Sequence, residues 1–189
     1  MKHGLTRRIL IITLAAFTLP FLARAIISNA AQDPAALGFN APEFTQTDTS
    51  AWHNSKPLNR KAFLGHVTLI DFWTFECWNC YRSFPWLHDV EQKFKGTDFQ
   101  VIGIHSPEFD REKEVSRVAQ KIREFKLEHP IMMDNDMAYW RAMHNRYWPA
   151  FYLIDRRGKV RHLFVGETHA DTHQAAKIEK SIRQLLAEK

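Results

Sequence analysis

The apolar positions change period several times along the chain. Val67 to Trp73 is an apolar, β-prone run, the pattern of a strand covered on both faces. Trp78, Tyr81, Phe84, Leu87, Val90 and Phe94 then recur every three or four positions, which predicts an amphipathic helix. Phe99 to His105 reads as a second strand. Val115, Val118, Ile122 and Phe125 mark a second helix. Pro130 to Asp134 is a short third strand, and Met137, Trp140 and Met143 or His144 suggest a short helix. Ala150 to Asp155 and Val160 to Gly166 are two strands joined by the tight turn Arg156-Arg157-Gly158-Lys159. Ala175, Ile178, Ile182 and Leu185 define a closing helix. Alternating strands and helices give parallel pairing, and the terminal hairpin adds antiparallel strands. The expectation is an α/β fold with a central mixed β-sheet flanked by helices. The segment from Phe44 to about Leu64 is expected to add a small N-terminal β-hairpin. No internal repeat or low-complexity tract interrupts this order.

The first 25 residues follow a different rule. Lys2, Arg7 and Arg8 precede an uncharged, largely apolar run from Ile9 to Leu22, and Ala23-Arg24-Ala25 ends it with small residues where a signal peptidase reads. Fourteen residues are short for a bilayer, which needs about 20. A cleaved signal is preferred over an anchor, and Thr6-Arg7-Arg8 only faintly resembles a twin-arginine signal. The expected division is 1–25 signal peptide or membrane anchor, 26–40 spacer, and 41–189 folded domain. The folded part is then periplasmic or otherwise extracytoplasmic, in a compartment that permits disulfides. This division also explains the formal charge of +5. Residues 1–25 hold four of the 26 basic residues and no acid, leaving 22 bases against 21 acids. No basic stripe remains for phosphates, so no nucleic-acid partner is expected.

The chain has two cysteines, Cys77 and Cys80, spaced C-x-x-C between a strand and a helix. A zinc site would need at least two further ligands. No second cysteine pair exists, and although His169 and His173 have the formal spacing, no metal is expected. A purely structural disulfide would close too small a loop to constrain the unfolded chain much. On a helix, positions i and i+3 share a face, close enough for a disulfide. The first cysteine lies at the helix N-terminus, where backbone N–H groups favour a thiolate. Cys77 is therefore the exposed nucleophile and Cys80 the buried resolving thiol of a redox-active disulfide.

The run Asp71-Phe72-Trp73-Thr74-Phe75-Glu76-Cys77-Trp78-Asn79-Cys80 resembles the active-site segment of thioredoxins, which read D-F-W, three residues, then C-x-x-C. Pro85 falls where thioredoxins carry a helix-kinking proline, and Trp148-Pro149 fits their cis-proline position. The likeness is greatest to the extracytoplasmic TlpA/ResA-like branch, and within it to the thioredoxin-like domain of DipZ-type cytochrome c biogenesis proteins. Ala41-Pro42-Glu43-Phe44, His105-Ser106-Pro107-Glu108-Phe109, Asp134-Asn135-Asp136 and Asn145-Arg146-Tyr147-Trp148-Pro149 carry it across about residues 41–189. The resemblance implies a thioredoxin-like fold with Cys77, Cys80, Asp71 and Pro149 as catalytic residues. Asp71 would accept the proton of Cys80, and Pro149 would leave the preceding backbone free to pair with an extended substrate strand. Trp78, Trp148 and Trp73 are candidates for the substrate-binding surface, with core packing an equal alternative for Trp73. Trp78-Asn79 in place of Gly-Pro, and Glu76 in place of Trp, depart from typical thioredoxins.

The function expected is a thiol:disulfide oxidoreductase without a cofactor. Its partners would be proteins with disulfides or cysteine pairs and a membrane electron donor of the CcdA/DsbD type, and the protein would act as a monomer. Reduction is the expected direction, because Trp78 and Asn79 bring no positive charge while Asp71 and Glu76 bring two negative ones. Three alternatives remain. A peroxiredoxin-like peroxidase would use Thr74-Phe75-Glu76-Cys77, but Ile70 occupies the position of its proline. A Sco-like copper carrier would need C-x-x-x-C plus a histidine. A non-catalytic binding module would leave the intact C-x-x-C unexplained.

Overall fold

A computed structural model describes Met1 and residues 37–188. Six strands form one mixed sheet: β1 (Trp52–His53), β2 (Val67–Trp73), β3 (Phe99–His105), β4 (Ile131–Met133), β5 (Ala150–Ile154) and β6 (Val160–Val165). Their order across the sheet is β1-β4-β3-β2-β5-β6. The pairs β2–β3 and β3–β4 are parallel, whereas β2–β5, β5–β6 and β1–β4 are antiparallel. The helices are α1 (Trp78–Lys93), α2 (Val115–Glu124), α3 (Ala138–Ala142) and α4 (His173–Ala187).

All seven residues of β2 are buried, as a continuous apolar run requires when both sheet faces are covered. Alternate side chains go to opposite faces. Val67, Leu69 and Trp73 join a cluster with Phe84, Leu87 and Val90 of α1, Val118 and Ile122 of α2, and Ile178 and Ile182 of α4. Ile70 and Phe72 join Phe44, Trp52, Phe63, Ile104, Tyr139 and Tyr152 on the other face. Asp71 therefore points into the first layer, beneath the helices that follow the cysteines.

The N-terminal hairpin expected between Phe44 and Leu64 does not form. That segment gives a single two-residue strand, β1, paired with β4 at the sheet edge. Side-chain bonds to backbone carbonyls, some of them distant in sequence, explain this. The Trp52 indole donates to the Gln46 carbonyl at 2.8 Å, and the Asn54 amide donates to the carbonyls of Leu127 and His129 at 2.8 and 2.9 Å. These bonds hold the segment against the approach to β4 and give it no sister strand. Short 3-10 helices at Thr49–Ala51 and Arg60–Phe63 complete it. Leu37 and Gly38, in the stretch expected as spacer, donate to the Arg161 and Val160 carbonyls, and Asn40 bridges to Lys159. The expected signal or anchor, and the spacer up to residue 36, lie outside the described residues. No helix among the described residues is long and apolar enough to cross a membrane.

Candidate functional site

β2 ends at Trp73, and the turn Thr74–Glu76 delivers Cys77 to the start of α1. Cys77 is the N-cap residue of that helix. Its Sγ accepts the Cys80 backbone N–H at 3.1 Å, and Cys77 N–H donates to the Thr74 carbonyl at 3.3 Å. The sulfur of Cys77 thus meets the unsatisfied donors of a helix N-terminus, which favours its anionic form. Cys77 and Cys80 are joined in a disulfide, with their Cα atoms 5.2 Å apart. Cys77 is partly accessible, while Cys80 is buried behind it in the first core layer.

Asp71 is buried and pairs in register with Gly103 on one side and Phe151 on the other. Loss of solvent, and then the nearby Glu91 carboxylate, push its carboxyl up to about 8. Its Oδ2 has no hydrogen-bond partner among the described residues. Glu91, on α1, is bonded by His129 Nδ1 at 3.1 Å. A Cβ on Gly103 would lie 3.1 Å from Trp73 Nε1 and 3.2 Å from His129 Nε2. The missing side chain thus lets an indole and an imidazole close over the strand beside Asp71.

Trp73 is fully buried, so it belongs to the core and not to the substrate surface. Its ring packs edge-on against Phe84 and His105. His105 is also fully buried, and burial together with the nearby His53 pushes its imidazole down to about 3. Trp78 is the opposite case, at 66% exposure beside Tyr81. A cavity of about 290 Å³ opens next to Cys77 between Trp78, Tyr81, Phe75, Lys121 and Phe125.

The Trp148–Pro149 peptide bond is cis. Trp148 is half-buried, lies 4.1 Å from the Trp140 ring centroid, and donates through its indole to the Ser106 carbonyl at 3.0 Å. Pro149 is buried at the start of β5.

The expected electrostatics need correction. The Arg111 guanidinium pairs with Glu76 and holds its carboxyl below the usual range. Asp71 is protonated below about 8. Neither carboxylate places an uncompensated negative charge beside Cys77 at neutral pH. Nothing in the sequence singles out Glu112. It is fully buried, and its carboxylate accepts from the Thr74 hydroxyl and from the backbone N–H groups of Glu76, Glu108 and Phe109. In the sequence it lies within Asp110-Arg111-Glu112-Lys113-Glu114, where a buried acid looks like any solvated one. The Glu91–His129 pair is equally invisible in the sequence, because 38 positions separate its members.

The model of the AhpC/TSA family matches residues 37–163 of this chain. The chain belongs to the AhpC/TSA family. The DipZ protein of Mycobacterium tuberculosis is 40% identical over 140 residues, covering 72% of this chain. The chain spans only 19% of the length of that relative. The thiol-disulfide oxidoreductase YkuV of Bacillus subtilis is 28% identical over 143 residues, which is 75% of this chain and 92% of YkuV. Among solved structures, a putative thiol:disulfide interchange protein DsbE from Chlorobium tepidum superposes with a TM-score of 0.67 at 25% identity, covering 79% of this chain and 97% of that one. The fold is thioredoxin-like, and the Cys77–Cys80 centre is that of a thiol:disulfide oxidoreductase. Family membership alone does not favour the peroxidase alternative. Ile70, where the peroxidase loop carries proline, lies inside β2 and pairs with both Ile102 and Tyr152. A proline there would break the ladder.

Proposed function

We propose that this protein is an extracytoplasmic reductase of protein disulfides. Support comes chiefly from one observation: Cys77 caps α1 at an accessible rim while Cys80 lies buried one turn behind it. The reduced Cys77 thiolate attacks one sulfur of a substrate disulfide and expels the other as a thiolate. Cys80 then loses its proton and attacks the Cys77 sulfur, releasing the second substrate thiol and leaving the Cys77–Cys80 disulfide. Two electrons pass from the dithiol to the substrate. The ionised fraction of Asp71 receives the Cys80 proton: a carboxyl that titrates at about 8 is partly deprotonated near neutral pH and basic enough to take a proton from a thiol. Trp78 and Trp148 border the docking surface, and Pro149 starts the strand beside which the substrate backbone lies. Cys77 and Cys80 are regenerated by a membrane dithiol donor of the CcdA/DsbD type. Cysteine pairs presented during cytochrome c maturation fit as substrates. Residues 1–25 act as the export signal or tether, and the folded domain acts as a monomer.

A Cys80→Ser variant should accumulate mixed disulfides through Cys77, and Cys77→Ser should accumulate none. Equilibration of the full chain against glutathione should give a potential nearer about −270 mV than about −120 mV. A value near the latter would reverse the direction to oxidation. Fusion of residues 1–40 to a reporter active only after export tests the location, and a silent reporter would overturn it.

A further inference from the structure

Glu112 is a buried acid with no part in the exchange steps above. It lies on the 3-10 helix Asp110–Lys113 and is fully enclosed. One carboxylate oxygen takes the Thr74 hydroxyl and the Glu76 N–H at 3.0 Å. The other takes the N–H groups of Glu108 and Phe109 at 2.7 and 2.9 Å. All four partners donate, which is the complement an anionic carboxylate satisfies and a neutral amide cannot. The turn that carries Cys77 is thereby tied to the 106–109 loop. That loop also donates from Ser106 N–H to the Trp73 carbonyl and accepts the Trp148 indole through the Ser106 carbonyl. One carboxylate thus joins the nucleophile's turn to the segment leading into Pro149.

We infer that Glu112 is a positioning residue of the dithiol centre: it fixes the Thr74–Cys77 turn and holds a negative charge behind the Cys77 sulfur, biasing the couple toward the disulfide. The inference rests on the reading of Cys77–Cys80 as the exchange centre. Other titratable groups lie on neighbouring elements: Glu76, paired with Arg111, and Lys121 and Glu124 of α2 line the cavity beside Cys77, while Asp71 on β2 and His105 on β3 are buried in the sheet. Of these, Glu76 is neutralised by its ion pair, Asp71 and His105 are uncharged at neutral pH, and Lys121 and Glu124 have opposite signs and pair with each other. Glu112 is the acid whose charge is enclosed with the turn itself.

Two substitutions in the full chain separate a charge effect from mere anchoring. Glu112→Gln removes the charge and keeps the shape. Thr74→Val removes one donor and leaves the carboxylate less neutralised. In a Cys80→Ser background, Glu112→Gln should speed Cys77 alkylation at pH 6 about threefold, and Thr74→Val should slow it by a similar factor. In the two-cysteine chain, Glu112→Gln should make the potential less reducing. A purely structural anchor would loosen the turn in both variants and move both rates the same way. Equal signs, or no change in either, would overturn the inference. If Glu112→Gln fails to fold by near-ultraviolet circular dichroism, Thr74→Val decides alone, and an unchanged or faster rate refutes the inference. Cys77→Ser reports separately on the exchange centre, since activity surviving that change would sink the exchange reading whatever Glu112 does.

Discussion

Asp71 owes its chemistry to its place in β2. In the fold its carboxyl titrates at about 8, against an ordinary value of 3.8. The native state therefore binds more protons than the unfolded state between those values, and stability falls as pH rises through that window. Asp71→Asn removes the dependence. The variant should be more stable than the parent at pH 8.5 by on the order of 6 kcal/mol, and the two should converge below about pH 4. Urea titrations at the two pH values measure this, and equal gaps at both would refute it. The same substitution should slow release of substrate from the mixed disulfide about tenfold or more, read by stopped-flow fluorescence. Asp71 was legible in the sequence because an acid inside an apolar run stands out. Glu112 was not, because burial in a loop leaves no periodic trace. Trp73 was half legible, since nothing in its spacing says which face of β2 it takes. The pairing with His105, and Phe84 above it, decide that.

At the scale of the element, β3 is built around a glycine that touches its neighbours. A Cβ on Gly103 would fall 3.0 Å from Ile131 Cγ1, 3.1 Å from Trp73 Nε1 and 3.2 Å from His129 Nε2. All three belong to packed groups with little room to yield. Gly103→Ala should cost about 1–3 kcal/mol through overpacking. The midpoint in urea should fall with an unchanged slope, and a neutral result would mean that the indole and imidazole move freely. Strands and helices of regular period were readable throughout, since β2, β3, β5, β6, α1, α2 and α4 all carry their pattern in local spacing. The hairpin expected near Trp52 failed for a reason local pattern cannot hold. The bonds of Asn54 reach Leu127 and His129, more than 70 residues away.

For the molecule as a whole, two buried groups shape the pH response in opposite senses. His105 titrates at about 3 in the fold against 6.5, so it costs stability as pH falls below 6.5. Asp71 costs stability as pH rises above 3.8. Each contributes about 1.4 kcal/mol per pH unit within its window. Their slopes cancel between about pH 4 and 6.5, and Asp71 alone acts from about 6.5 to 8. Thermal melts should therefore lose stability between pH 6.5 and 8 in the parent and not in Asp71→Asn. A parent that gained stability over that range would contradict the assignment.

The strand order also bears on how the chain is made. β2 lies between β3 and β5, and Phe72 waits for Ala150 to complete its ladder. A nascent chain that has left the ribosome only as far as β4 has one flank of its central strand open. If residues 1–25 direct export as proposed above, passage through a narrow translocon favours a chain that remains loose while it is being synthesised. By placing β5 and β6 late in the sequence, the topology postpones closure of the sheet until most of the polypeptide has emerged, which suits that proposed route.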